Sequence, residues 1–151
     1  NHLLCRNIMS DLDIAKSRLY EEDLTLAIVK NGEVLFETRS HRISGFLGAI
    51  EKLGDILEGA AVADRVAGKA IALLCVYAKI GDVYAEVLSE KAKAVFEENE
   101  ISHEWKELVA NILNLNKSRV CPFEKAAAEI SDPKDAYKAF KALQESLQAY
   151  K

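Results

Sequence analysis

The stretch Asp64-Arg65-Val66-Ala67-Gly68-Lys69-Ala70 is the most informative in the chain, because it gathers groups able to bind an anion at a strand-to-helix joint. The apolar run Ala60 to Ala63 reads as a short strand, and the run after it reads as a long apolar helix. Lys69 then falls in the first turn of that helix, where the backbone already carries partial positive charge. A cation is misplaced there unless an anion joins it. Free backbone amides, Lys69 and Arg65 together would make a site for phosphate or carboxylate. Gly68 would let the backbone approach such a ligand closely, and Lys69 would supply a point charge. Asp64 has three readings: a cap for the helix, a partner for Arg65 or Lys69, or an acceptor for a ribose-like hydroxyl. The stretch is not a P-loop, because G-x-x-x-x-G-K-[ST] is absent and Ala70 has no hydroxyl for magnesium.

Cys121 is the nucleophile candidate. Pro122 suits the first position of a helix, and Glu124 falls where a capping-box carboxylate belongs. Cys121 would then be the N-cap, where amide dipoles favour thiolate. The alternative is a small capping residue packed beneath the last helices, since no histidine is placed by sequence to act as its base. Cys75 lies inside the apolar helix and reads as core, and Cys5 reads as part of an amino-terminal tail. His41 is read as a surface or structural residue. Glu86 interrupts an apolar strand and either faces solvent or pairs with Lys69.

These groups need a frame. The chain has 151 residues, half of them apolar, which suits one domain with one core. Residues 1–22 read as an amino-terminal extension with a helix, 24–130 as the core and 132–151 as a carboxyl-terminal helix. Ser10 and Asp13 start the first helix, which runs to about Tyr20. Leu24 to Lys30 and Val34 to Thr38 read as strands around Asn31-Gly32, the strongest hairpin signal present. A helix follows from Phe46 to Leu57, weakened by Gly54. Then come the Ala60–Ala63 strand, a buried helix from Ala67 to Ala78, and a strand from Val83 to Leu88. Ser89 caps the next helix, which ends near Asn99. Trp105 to Leu113 is the last strand. Cys121 and Asp132-Pro133 open two final helices. The last carries an apolar stripe from Tyr137 to Tyr150 that packs on the body or across a homo-oligomer.

Strands alternating with helices after the hairpin imply parallel strands and right-handed crossovers. The expected fold is α/β, a three-layer α/β/α domain with a mixed five-stranded sheet. If the second hairpin strand runs parallel to the three later ones, their carboxyl ends share one edge, where ligands of open α/β sheets gather. Four joints would meet there: Arg39 to Gly45, Asp64 to Lys69, Ser89 to Lys91 and Lys117 to Glu124. Arg39, Arg42, Arg65, Lys69 and Arg119 would form a basic pocket, or else be separate surface charges with their own acidic partners. The candidate ligand-binding set is Asp64, Arg65, Gly68, Lys69 and Arg42.

The element order, with Asp64 to Ala70, Val83 to Leu88 and Cys121-Pro122-Phe123-Glu124, resembles a family of small bacterial and archaeal conserved hypothetical proteins. That family is a domain of unknown function with a cytidine-deaminase-like fold. The resemblance spans about Leu24 to Ile130 and implies that fold without any settled activity. Zinc deaminases carry H-x-E at one helix start and P-C-x-x-C at the next. The matching joints here read Ser44-Gly45-Phe46 and Ala67-Gly68-Lys69, and no C-x-x-C occurs. No zinc is expected, and no other cofactor is implied.

A net charge of -4 argues against general nucleic-acid binding. No apolar run spans a bilayer, no secretory pattern is present, and three isolated cysteines suit a reducing compartment, so the expected location is cytoplasmic. The reading is a metal-free domain that binds a small anionic, nucleotide-like metabolite at the sheet's carboxyl edge, with Cys121 as a nucleophile if there is turnover. The alternatives are a binding module without catalysis and a structural oligomer.

Overall fold

The computed structural model describes residues 9–40, 43–112 and 121–149. Helix α1 (Asp11–Glu21) begins at Ser10, whose hydroxyl accepts the Asp13 N–H, and buries Leu12, Ala15 and Leu19 at helical spacing. Strands β1 (Leu26–Lys30) and β2 (Glu33–Thr38) form the expected hairpin. Asn31 and Gly32 both take positive φ, 53° and 79°, the turn whose twist matches paired strands. Asp11 ties this turn to α1, its two carboxylate oxygens accepting the Asn31 and Gly32 N–H at 2.9 and 2.8 Å.

Helix α2 (Ser44–Leu53) and a 3-10 turn (Gly54–Leu57) lead to strand β3 (Ala61–Ala67). Helix α3 (Lys69–Tyr77), strand β4 (Asp82–Ser89), helix α4 (Glu90–Glu98) and strand β5 (Ser102–Val109) follow. Helices α5 (Pro122–Ala127) and α6 (Pro133–Ala149) complete the described chain. The sheet order is β2-β1-β3-β4-β5. β1 is antiparallel to both neighbours, and β3, β4 and β5 are mutually parallel. β2 therefore runs with β3 to β5. The carboxyl ends of four strands, at Thr38, Ala67, Ser89 and Val109, share one edge of the sheet.

The layers are α/β/α with unequal cover. On one face α1, alone among the described helices, packs on Ala27, Val29, Ala61, Ala63 and Tyr84. The main core lies on the other face, where α2 to α6 meet Ile28, Val62, Val83, Ala85 and Leu88. Tyr137 and Phe140 of α6 join this core, so the predicted stripe packs on the body. Leu147 stays exposed, and Tyr150 lies outside the described residues. None of the described helices is long and apolar enough to cross a membrane.

Of the boundaries that differ from the sequence reading, three bear on the site or the edge of the sheet. β3 continues through Asp64, Arg65 and Val66 instead of stopping at Ala63, and α3 starts at Lys69 instead of Ala67. β3 is a central strand whose pairing carries it past its apolar run: Asp64 lies opposite both Leu26 and Ala85, and Val66 opposite Val87. β5 starts at Ser102 instead of Trp105, because its register follows Asp82 to Ser89 of β4. It is exposed along most of its length, so hydrophobicity does not mark it. The expected end of this strand at Leu113 lies outside the described residues.

Candidate functional site

Helix α3 begins on an extended Gly68, which has no side chain to cap the helix. Its first free amides are taken by a carboxylate from α5. Glu124 Oε1 accepts the Lys69 N–H and Oε2 accepts the Ala70 N–H, each at 2.8 Å. A Cβ at residue 68 would collide with this carboxylate, so glycine is required there for close approach to Glu124. Burial pushes the Glu124 carboxyl above its usual range, while the two amides, Lys91 and Lys69 pull it back. The anion expected at this helix end is thus present as part of the chain. Glu124 was expected to close a capping box on its own helix, but it caps α3 instead. Cys121 is the half-buried N-cap of α5 and makes no side-chain capping bond; its own N–H donates to Ile112 O.

Asp64 and Arg65 are adjacent in a strand, so they face opposite sides of the sheet. Neither enters the first turn of α3. Asp64 is 8% exposed and lies on the main-core side, where its Oδ1 accepts the Val66 N–H at 3.2 Å. Burial pushes its carboxyl up to about 7, against the pull of the Val66 and Arg65 amides. Burial, with Asp64 adding to it, also pushes the Cys75 thiol up, which fits the core role read for that residue.

Arg65 turns to the α1 side. Its guanidinium donates to Leu24 O at 2.8 Å, Leu19 O at 3.1 Å, Glu86 at 2.9 Å and Asp23 at 3.2 Å, and lies over the Tyr20 ring. It fastens the end of α1 to the sheet. Glu86 is therefore Arg65's partner and not that of Lys69. Arg39 donates to Glu22 O at 2.7 Å, also away from the α3 start. Arg42, Arg119 and His41 lie outside the described residues.

Lys69 keeps a different neighbourhood. Its Nζ lies 3.5 Å from Ala128 O, on the rim of a groove of about 410 Å³ between α3, α4 and the α5–α6 link. Lys69 and Lys91 line it from the first turns of α3 and α4, Leu73 and Val95 form a wall, Glu98 and Asn99 stand at the far end of α4, and Ser131 comes from the α5–α6 link. Ser89 caps α4 by accepting the Ala92 N–H, which places Lys91 in that helix's first turn. Sequence reasoning named this joint without selecting Lys91. The signal was the one used for Lys69, a lysine at a helix amino end. A second hollow, about 550 Å³, is lined by Glu51, Asp55, Glu58, Lys79 and the stacked Tyr77–Tyr137 pair. It sets three carboxylates against one lysine, whereas the groove sets two lysines against Glu98, so the groove is the better match for an anion.

Among the described residues no three His, Cys, Asp or Glu side chains gather closely enough to hold a metal ion. The only described histidine, His103 of β5, stacks with Trp105, lies 5.4 Å from the Phe96 ring of α4 and bonds Ile101 O.

Residues 14–144 match the family model TM1506, a domain of unknown function (DUF1893), and the chain belongs to that family. The crystal structure of a DUF1893 family protein (TM1506) from Thermotoga maritima superposes with a TM-score of 0.80 at 26% identity, covering 89% of this chain and 91% of that one. A diaminohydroxyphosphoribosylaminopyrimidine deaminase/5-amino-6-(5-phosphoribosylamino)uracil reductase from Thermotoga maritima overlaps with a TM-score of 0.43 at 15% identity, over 76% of this chain and 39% of that one. That overlap is too loose to carry an argument. No curated protein matches the sequence.

Proposed function

We propose that this domain binds a small anionic metabolite in the groove between α3 and α4, with Lys69 and Lys91 as the cations that hold it. The observation that carries the reading is the convergence of two lysines from the first turns of neighbouring helices on one groove. Glu124 already holds the α3 amides, so the two lysines and the α4 end supply the charge that favours phosphate or carboxylate. The volume, about 410 Å³, falls in the usual range for small-molecule sites. Leu73, Ala94 and Val95 offer an apolar wall for a flat ring, and Asn99 and Ser131 offer polar groups beyond it. That combination fits a nucleotide-like ligand, one anionic end and one planar body. Arg65 is left out of the ligand set because its donors are used on the other face, and Asp64 because it is buried beneath α3.

Cys121, the N-cap of α5, does not line this groove, so turnover by its thiol would require a substrate that reaches beyond the groove to that helix end. Binding without turnover uses the same groove and leaves the thiol inert.

The test is a thermal-shift and calorimetric panel of inorganic phosphate, citrate and nucleoside phosphates. Wild type should be stabilised by at least one of these anions, and Lys69→Ala and Lys91→Ala should lose the response. No stabilisation by any anion, or an unchanged response in both variants, removes the ligand site. Thiol labelling in a Cys5→Ser background decides on turnover: if Cys121 reacts no faster near neutral pH than an exposed model thiol, the enzymic version fails.

A further inference from the structure

We propose that the chain pairs with a second copy of itself along β5, joining the two sheets across a two-fold axis centred on Trp105. β5 is eight residues long and, among the described residues, pairs with β4 alone. A long edge strand with free N–H and C=O groups is a template for another strand. Trp105 and Leu108 remain 37% and 40% exposed.

The charges on β5 select the partner and the register. In an antiparallel pair of identical strands, facing side chains stay on the same side of the sheet only when the axis passes through a residue. Centring on Glu104 or Glu107 sets that carboxylate against its own copy, and centring on Lys106 sets lysine against lysine. Centring on Trp105 sets Lys106 against the partner's Glu104, twice by symmetry, and the two tryptophans against each other. His103 then faces the partner's Glu107. This is the one register of the four in which opposite charges meet and no like charges do. Glu104 is already held at the edge by Lys16 at 2.7 Å, so the partner's Lys106 would extend an existing ion pair.

The other edge of the sheet lacks this property. β2 has Glu33 and Glu37 but no cation, and a pair centred on Leu35 would set Glu33 against the partner's Glu37. Glu37 is also bound by Arg18 at 2.6 Å. A β5-to-β5 contact closes on itself as a dimer, whereas a β5-to-β2 contact would propagate.

The test is oligomeric state by light scattering and sedimentation over a concentration series, with circular dichroism to confirm folding. Wild type should be a dimer. Lys106→Glu and Glu104→Lys should each be monomeric, because each sets like charges opposite one another. An equimolar mixture of the two should regain a dimer, since every facing pair is then of opposite sign. A Trp105→Cys variant should cross-link to its own copy on mild oxidation faster than wild type does, giving a second readout. A monomeric wild type, charge variants that still dimerise, or a mixture that stays monomeric each overturns the proposal.

Discussion

Asp64→Asn should make this protein more stable at alkaline pH. In the folded chain burial lifts the Asp64 carboxyl from 3.8 to about 7, and the contacts around it supply amides but no cation. A raised folded pKa means that the native state holds a proton the unfolded chain has released. The stabilising contribution of that proton is complete below 3.8, declines as pH rises, and is gone above about 7. A shift of about 3 units at ~1.36 kcal/mol each sets an upper limit of roughly 4 kcal/mol. Asparagine removes the ionisation and keeps an oxygen for the Val66 N–H, although its amide N–H groups need partners and return part of the gain. A net gain of roughly 1–3 kcal/mol near pH 8 raises Tm by about 2–12 °C for a domain of this size. Near pH 4 the gap should shrink to zero or reverse. Glu124 and Asp82 are also raised and slope the same way, while Glu37 and Glu97 are lowered and slope the opposite way. The difference between wild type and variant isolates Asp64 from all of them. Thermal melts of both proteins from acid to alkaline pH are the assay. A gap that does not change with pH, or a variant less stable than wild type near pH 8, refutes the reasoning.

Gly68→Ala should cost roughly 1–3 kcal/mol in urea unfolding, because the new Cβ meets the Glu124 carboxylate. In a Glu124→Ala background the same change should cost much less, giving a coupling energy of the order of 1 kcal/mol in a double-mutant cycle. Arg65→Ala should cost roughly 2–4 kcal/mol by leaving Glu86 and the Leu19 and Leu24 carbonyls without their donor. Arg65→Lys should recover little, since one ammonium cannot replace a fork spread over four acceptors. Anion stabilisation by phosphate should be the same in folded Arg65→Lys as in wild type; a loss of it would return Arg65 to the ligand set.

The hairpin, the order of elements and the shared carboxyl edge were legible because they rest on local signals. Asn31-Gly32 allows few backbone conformations, Ser10 and Ser89 are efficient N-caps, and alternating strands and helices leave one crossover hand. The site was less legible because its groups are assigned by pairing, which is not local. Asp64 and Arg65 sit after an apolar run and look like a loop, yet β1 and β4 hold them in a strand and send them to opposite faces. Glu124 looked like the cap of its own helix, because spacing cannot show that a chain fold brings it to another. The place of Lys69 at a helix start could be read from sequence, since a lysine there is a local conflict.

That conflict also constrains the groove. The amino ends of α3 and α4 each contribute about half a positive charge, and Lys69 and Lys91 add one each. Glu124 returns one negative charge, and it is committed to the α3 amides. Glu90 offsets part of the α4 end from that helix's own first turn, and Glu98 adds one negative charge to the groove lining. A small positive excess therefore remains at the groove mouth, beside Lys69 and Lys91, in a chain whose overall charge is -4. Such a field cannot serve long-range attraction of anions, because the surrounding protein repels them and salt screens it within about 10 Å. It would act on a phosphate seated in the groove, so affinity should weaken moderately with added salt, chiefly through faster dissociation, while the association rate changes little. A salt-independent affinity would place the ligand's contacts on the apolar wall and the polar groups beyond it, and would leave Lys69 and Lys91 as partners of Glu124 alone.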